Sequence, residues 1–241
     1  MRAAAATATG AGAAWALPAL APVFPAVARA VRIPTRCAWA DAVALTFDDG
    51  PHPRGTPAVL DALAAAHVHA TFFLVGEQVQ RRPALAAEIV AAGHTVAFHG
   101  HRHRNLLSLG PSAVARDFDE GADVLAAATD VAPALHRAPF GIYSWPALAA
   151  VRARAWTPVL WSRWGRDWTR RATAASVARR SAEGVSAGDV LLLHDADDYS
   201  APGCWKATVA ALPRIIELVA SAGLRIEPIG RRDDLAHPSG R

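Results

Sequence analysis

The sequence predicts an α/β protein whose parallel strands close, or nearly close, into a barrel. Seven apolar segments with strand character alternate with six or more segments of helical periodicity along 241 residues, and such alternation is typical of parallel βα units. No repeat at a fixed period and no Ser/Gly linker divides this region. Because 52% of the residues are hydrophobic, a single large core can form. We therefore expect one domain over residues 32–231.

The first strand is predicted over residues 42–47, an apolar run that stops before the turn residues Gly50 and Pro51. Pro57 then favours a helix start, because proline fits the first helical turn. The same alternation continues to the middle of the chain, with strands at 70–75 and 95–98 and helices at 57–66, 83–92 and 111–128.

The second half repeats this order with more marked strand signals. The run Leu191-Leu192-Leu193 is the most apolar of them and predicts a strand that is buried on both faces. The predicted strands are 133–136, 157–161, 190–193 and 224–229, and the predicted helices are 146–154, 174–183 and 207–222. Residues 232–241 are polar, and we expect a flexible tail there.

The N-terminal segment has the composition of a leader. Residues 3–28 carry no charge and are flanked by Arg2 and Arg29, a length sufficient to cross a bilayer. Three prolines interrupt the segment, and Ala-Val-Ala at 26–28 resembles a signal cleavage site. A cleaved signal peptide, a membrane anchor and a disordered leader all remain open for residues 1–31. We expect an extracytoplasmic protein, anchored or secreted, with membrane contact through this segment.

Charge and cysteine content exclude several classes of function. The net charge of +4 comes almost wholly from arginines that are scattered along the chain, so no nucleic-acid-binding face is predicted. Cys37 and Cys204 lack a nearby second cysteine, which excludes a zinc knuckle and a redox motif. Whether the two thiols pair stays open at this stage. We expect a monomer.

Two adjacent carboxylates follow the first strand. Asp48 and Asp49 stand at its C-terminal end, and in parallel α/β proteins the chemistry gathers at these ends. Two like charges at this distance repel each other, so ionising both requires a cation, and otherwise one of the two pKa values rises. The pair therefore predicts either a metal ion or a shared proton.

Histidines follow the third strand at a spacing of four. On a helical turn, residues four apart lie on one face, so His99 and His103 could both address one cation and, with Asp49, complete a two-histidine, one-carboxylate metal site. Such a ligand set suits catalytic zinc and non-haem iron(II) alike. A solvated His/Arg-rich loop is the alternative for these histidines.

Three further polar residues end later strands. Arg137 follows the fourth strand and requires a carboxylate partner when buried, for which Asp48 is available. Asp167 follows the fifth strand and His194 the sixth. A histidine at the end of an apolar strand is often a core residue, but its position at the same barrel end as the other groups favours catalysis.

Five motifs occur together in a specific order. They are Thr46-Phe-Asp-Asp-Gly-Pro51, His99-x-x-x-His103, Arg137-x-Pro-x-Gly141, Asp167-Trp168 and Leu192-x-His194. In this order and spacing the sequence, over residues 42–229, resembles the NodB-homology domain of the polysaccharide deacetylases, carbohydrate esterase family 4. The resemblance implies a distorted (β/α)7 barrel, in agreement with the seven strands predicted from periodicity.

The resemblance also implies a role for each motif residue. Asp48 would be the general base, and Asp49, His99 and His103 would bind a divalent metal, usually zinc, with cobalt, iron or nickel as alternatives. Arg137 would hold Asp48, and Asp167 would orient His194 as the general acid. Phe140 would offer a backbone N–H to an oxyanion, while Trp168 and Leu192 would form walls of the acetyl-binding groove. The implied reaction is N-deacetylation of a glycan such as peptidoglycan or a chitin-like polymer.

The sequence departs from the family pattern at four positions. Ala138 and Phe140 replace the usual Pro and Tyr, Gly100 replaces a Ser or Thr beside the first metal histidine, and Trp164 stands where the family has an acid. These changes keep a second hypothesis open, a glycan-binding barrel with weakened catalysis. An iron(II) oxygenase is a third hypothesis, disfavoured because such sites usually lie in double-stranded β-helices.

Overall fold

A computed structural model describes residues 15–236 and contains one parallel sheet of eight strands. The strands are β1 (Ala42–Asp48), β2 (Thr71–Leu74), β3 (Thr95–Phe98), β4 (Leu135–His136), β5 (Thr157–Pro158), β6 (Arg163–Trp164), β7 (Val190–His194) and β8 (Arg225–Ile226). Seven strands follow the order β5-β4-β3-β2-β1-β7-β6, and β8 pairs with the beginning of β1. This path curls into an incomplete barrel, which confirms the predicted distorted (β/α) barrel.

Helices cover the outside of the sheet, as the sequence periodicity predicts. They are α1 (Pro25–Ala30), α2 (Gly55–Ala65), α3 (Gly76–Arg81), α4 (Pro83–Ala91), α5 (Pro111–Thr129), α6 (Trp145–Ala153), α7 (Ala174–Ala182) and α8 (Trp205–Ser221). The sequence predictions missed α1 and α3, six residues each, because such short helices give almost no periodicity. They also missed β6, a two-residue strand that lies within a predicted loop.

The register of β1 determines which side chains meet at the C-terminal end of the barrel. All seven residues of β1 are buried, because β1 lies between β2 and β7 and has helices on the outside. Asp48 is paired in register with His194 of β7 and with Phe73 of β2. The predicted base and the predicted acid are therefore neighbours across two adjacent strands.

The segment that precedes β1 packs on the barrel. Ala21, Ala28 and Val31 are at most 2% exposed and belong to the main hydrophobic core. Leu160 N–H donates to Pro34 O at 2.9 Å, so the chain runs past the end of β5, at the open side of the sheet. Part of the predicted leader, residues 15–31, thus contributes to the core, while its residues 1–14 lie outside the described chain.

The C-terminal residues also differ from the expected flexible tail as far as they are described. Arg232–Asp234 form a 3-10 turn, and Leu235 is 1% exposed and forms a β-bridge with Cys37. Residues 237–241 lie outside the described chain. Cys37 and Cys204 are both buried and unpaired, which answers the question of pairing for this structure.

Candidate functional site

A cavity of about 280 Å³ opens at the C-terminal end of the barrel. The family resemblance assigns a role to ten residues, and eight of them line this cavity. The other two, Arg137 and Asp167, are completely buried behind it. The eight lining residues are Asp48, Asp49, His99, His103, Phe140, Trp168, Leu192 and His194. The strand ends therefore bring together all the groups that the motifs predict.

Three of these residues offer ligand atoms to one point. Asp49 Oδ1 lies 3.5 Å from His99 Nε2 and 3.2 Å from His103 Nε2. His99 Nδ1 lies 2.8 Å from Arg137 O, and a carbonyl oxygen only accepts, so Nδ1 carries the proton. The lone pair of His99 therefore lies on Nε2, the atom that faces Asp49. This tautomer is the one that a metal ligand requires.

The donor set fits a divalent cation. Asp49 Oδ1 is buried and has no hydrogen-bond partner among the described residues, a costly arrangement unless a cation satisfies it. Burial alone would raise the pKa of Asp49, but the neighbouring His103 and His99 and the charge of His194 lower it far below its usual range. Asp49 is thus ionised at neutral pH and available as a ligand.

A second group of candidate ligands lacks the free histidine lone pair that a metal ion requires. His52, Asp197 and Asp198 lie close together near the same barrel end. However, Gly55 N–H donates to His52 Nδ1 at 2.8 Å, so Nε2 carries the proton and faces Asp197 Oδ1 at 3.0 Å. Neither ring nitrogen offers a free lone pair, and this contact is a hydrogen bond between side chains.

Asp48 is held by a buried arginine. Arg137 Nη1 donates to Asp48 Oδ1 at 2.7 Å and to Thr46 Oγ1 at 2.9 Å. The other guanidinium nitrogens face the carbonyl oxygens of Val159 and Leu160, each at 3.3 Å. The second carboxylate oxygen of Asp48 faces the cavity and lies 3.8 Å from His99 Nε2. One oxygen is therefore tied to Arg137, and the other is free to accept a proton.

His194 lies next to Asp48 on the adjacent strand β7 and is oriented by Asp167. The Asp167 carboxylate accepts from His194 N–H at 2.6 Å, lies 3.0 Å from His194 Nδ1 and accepts from Thr208 Oγ1 at 2.8 Å. Burial alone would lower the pKa of His194, but Asp167, together with the charges of Asp49 and Asp48, raises it to about 10. The imidazole is therefore protonated at neutral pH, as a general acid must be.

Aromatic side chains form the rest of the cavity wall. The ring centroids of Trp161 and Trp164 are 5.9 Å apart, those of Trp164 and Trp168 5.6 Å, and those of Trp168 and His194 5.4 Å. Phe140 stands opposite, with a left-handed backbone (φ 60°) and a side chain that is 55% exposed. Trp164, which departs from the family pattern, thus belongs to a continuous aromatic surface that leads to the candidate acid.

The structure also explains the glycine beside His99. Gly100 has φ +86°, a conformation that side-chain-bearing residues rarely adopt, and a Cβ here would come within 3.3 Å of Arg102 O. A Ser or Thr would be strained in this backbone. The missing hydroxyl is therefore a consequence of local geometry, and it leaves the three ligand atoms in place.

Two residues near the cavity carry no motif signal. Tyr199 lines the cavity from the loop after β7. Asp195 is completely buried, and Thr56 Oγ1 donates to it. Only its position next to His194 in the sequence could have drawn attention to Asp195.

Comparisons with known proteins agree with this geometry. A sequence model described as polysaccharide deacetylase matches residues 36–158. A chitooligosaccharide deacetylase of Sinorhizobium fredii is 37% identical over 203 residues, which cover 82% of this chain and 94% of that protein. A peptidoglycan-N-acetylglucosamine deacetylase of Bacillus cereus is 31% identical over 186 residues, with 76% and 84% coverage.

A solved structure shows the same fold. The family 4 carbohydrate esterase from Streptomyces lividans, in complex with acetate, superposes with a TM-score of 0.73 at 29% identity, covering 83% of this chain and 98% of that one. The alignments with the two sequence relatives cover 94% and 84% of those proteins, and the structural match covers 98% of the solved chain. On these grounds the chain belongs to the polysaccharide deacetylase family, as its five motifs predict.

Proposed function

We propose that this protein is a metal-dependent hydrolase that removes N-acetyl groups from an N-acetylated glycan. The observation that carries the proposal is that Asp48 and His194 line the same cavity as the Asp49, His99 and His103 ligand set. The products would be acetate and a free amino sugar. The names of the relatives, chitooligosaccharide deacetylase and peptidoglycan-N-acetylglucosamine deacetylase, support this class of substrate.

A divalent cation held by Asp49, His99 and His103 would supply Lewis acidity, which lowers the pKa of a bound water and polarises an acetyl carbonyl. Zinc is the metal we propose, because one carboxylate and two neutral imidazoles are common ligands of catalytic zinc. Cobalt, iron and nickel also accept this donor set, so the test compares defined metals.

The side chains of the chain perform the proton transfers. Asp48 accepts the proton of the attacking water on its cavity-facing oxygen, while Arg137 holds its other oxygen and keeps the carboxylate in place. His194 donates its proton to the departing amine, and Asp167 stabilises the imidazolium until that step. Phe140 N–H is the donor we propose for the oxyanion that develops on the acetyl carbonyl.

The cavity wall suits a sugar that carries a small acyl group. Leu192 and Trp168 provide an apolar surface close to His194, where a methyl group can be buried. The indole rings offer flat faces, and pyranose rings pack on such faces through their C–H groups. We therefore expect the acetyl group to lie near Leu192 and the sugar chain to extend over the tryptophans.

We also propose that the protein acts outside the cytoplasm, at or near a membrane. In the described chain, six large hydrophobic side chains are exposed, and four of them belong to residues 17–24. The segment 17–24 packs beside Gly141 and α6. The six are Leu17, Leu20, Val23, Phe24, Phe140 and Trp145. An exposed apolar cluster of this kind marks an interaction surface. Within residues 15–236, no helix is both long and apolar enough to span a bilayer.

Acetate release tests the proposed activity. Purified protein is stripped of metal with a chelator, reloaded with zinc, cobalt, iron(II) or nickel, and incubated with chitin oligosaccharides and peptidoglycan fragments. We expect no acetate from the stripped protein and restored release after reloading, with none from Asp48→Asn. Asp119→Asn, the same substitution at an exposed position outside the cavity lining, is the matched control and should retain activity. Tight glycan binding by metal-loaded protein without any acetate would instead support the glycan-binding alternative.

The location is tested separately. Membrane and soluble fractions of cells that produce the tagged full-length chain are compared, together with protease accessibility of intact cells. Recovery only from the cytosol would contradict the proposed location and leave the activity untouched.

A further inference from the structure

The two candidate histidine ligands are supported in different ways. His99 Nδ1 donates to Arg137 O at 2.8 Å, the usual way in which a metal-binding imidazole is oriented. The His103 side chain is only 5% exposed, and its Nδ1 is buried without a hydrogen-bond partner in the described chain. The orientation of the second imidazole must therefore come from another contact.

Aromatic rings supply that contact. The Tyr199 ring stacks on the His103 imidazole with centroids 4.3 Å apart and planes inclined by 13°. Phe140 approaches His103 with centroids 4.5 Å apart and planes inclined by 68°. With one ring parallel and the other edge-on, the imidazole cannot rotate about its Cβ–Cγ bond without a clash. Packing thus replaces the missing hydrogen bond.

Tyr199 is itself fixed at its hydroxyl. The hydroxyl donates to Glu77 Oε1 at 2.6 Å and accepts from Gln78 Nε2 at 2.9 Å, and both partners lie in the first turn of α3. Arg82 Nη1 donates to Gln78 Oε1 at 2.6 Å and to Pro51 O at 3.1 Å. The ring is therefore tied to the helix after β2 and, through that helix, to the loop that carries Asp49.

We infer that Tyr199 is a positioning residue for the metal site, which orients His103 by stacking and joins the loop after β7 to the loops that carry the other ligands. This inference rests on the proposed metal-dependent function. Tyr199 contacts the ligand and none of the reacting atoms. Its loss should therefore weaken metal binding first and lower activity as a consequence.

Metal affinity, measured apart from activity, tests the inference. Zinc affinity is determined by chelator competition, and the visible spectrum of the cobalt-loaded protein reports the ligand geometry. For Tyr199→Ala we expect an affinity about 10–100-fold below that of the parent protein, the usual effect of losing a residue that orients a metal ligand, and a changed cobalt spectrum. Tyr199→Phe keeps the stacked ring but loses the hydrogen bonds of the hydroxyl to Glu77 and Gln78, so its loss of affinity should be much smaller than that of Tyr199→Ala.

Two further variants make the result specific. Trp164→Ala removes an aromatic ring from the same cavity. This ring lies against Trp161 and Trp168 in a tilted arrangement and not against His103, so the variant should keep the parent's metal affinity. Tyr199→Leu fills much of the space without a flat ring and should bind metal as weakly as Tyr199→Ala. It serves as the test variant if the alanine variant does not fold, as judged by circular dichroism.

The outcomes separate this inference from the proposed function. Parent-like affinity and spectrum in Tyr199→Ala or Tyr199→Leu would overturn the role of Tyr199, and so would an equal loss in Trp164→Ala. A parent protein that binds metal at the expected site but releases no acetate would overturn the proposed activity and leave the role of Tyr199 standing. A parent protein that binds no metal would overturn both.

Discussion

Replacing Arg137 by methionine should destabilise the protein strongly, because it leaves a buried charge without its partner. Arg137 is completely buried, and its guanidinium bonds Asp48, Thr46 and two backbone carbonyls and lies over the ring of Phe73 at 3.9 Å. Breaking a buried pair by removing one partner costs about 3–5 kcal/mol of unfolding free energy. We expect a loss of this size for Arg137→Met in urea unfolding at pH 7 of chelator-treated protein.

A double-mutant cycle shows whether the Asp48 charge causes the loss. Asp48→Asn removes the charge and keeps the size of the side chain, so in the double variant no carboxylate remains unpaired. We expect the double variant to be more stable than the sum of the single losses predicts, with a coupling free energy of about 2 kcal/mol. Strictly additive losses would show that packing, and not the ion pair, is the role of Arg137.

A surface pair provides the control for this cycle. Arg214 Nη1 lies 2.7 Å from Glu217 Oε2, and the two side chains are 57% and 61% exposed. Exposed pairs contribute about 0–1 kcal/mol, so Arg214→Met should cost far less than Arg137→Met. A similar loss at both positions would refute the argument from burial.

Three other predictions concern the remaining charged groups. Asp49→Ala should lose metal and activity together, whereas Asp48→Ala should lose activity and retain metal, as measured by metal analysis after dialysis; equal metal loss would refute this division. Because the pKa of His194 is raised to about 10, activity should fall as pH rises through that value, and Asp167→Asn should move this fall to lower pH. Burial raises the pKa of Asp195 from 3.8 to about 7, so the native state holds a proton that the unfolded state releases above pH 3.8, and the free energy of unfolding should decrease between pH 4 and 7. Asp195→Asn should remove this decrease in urea unfolding, and an unchanged pH profile would contradict it.

The residues at the strand ends could be predicted from the sequence because their positions follow from local rules. An apolar run that stops at a polar pair places Asp48 and Asp49 at a barrel end, and the end of the third strand places His99 there. The predicted helical turn is wrong, because residues 99–103 are not helical, and an irregular loop brings His103 to Asp49. The long helices were also predictable, since their periodicity extends over many residues. Short elements were not: α3 has six residues and β6 has two.

Tyr199 illustrates what sequence reasoning could not provide. Its role depends on the stacking of a loop residue on His103, 96 positions earlier in the chain, and on hydrogen bonds to α3. No spacing rule connects these segments. The packed N-terminal segment is a similar case, because alanines and prolines without periodicity give no sign in the sequence that Ala21, Ala28 and Val31 are buried in the core.

Charge balance distinguishes the two carboxylates that look equivalent in the sequence. Asp48 is compensated by Arg137 at 2.7 Å, and protonated His194 is compensated by Asp167 at 3.0 Å. Asp49 remains as an ionised, buried carboxylate whose nearest nitrogens belong to the imidazoles of His99 and His103. A proton shared between the two carboxylates is disfavoured, because the pKa of Asp49 lies far below its usual range. The uncompensated charge falls on the one oxygen where both Nε2 atoms converge, which is why we assign Asp49 to the metal and Asp48 to proton transfer.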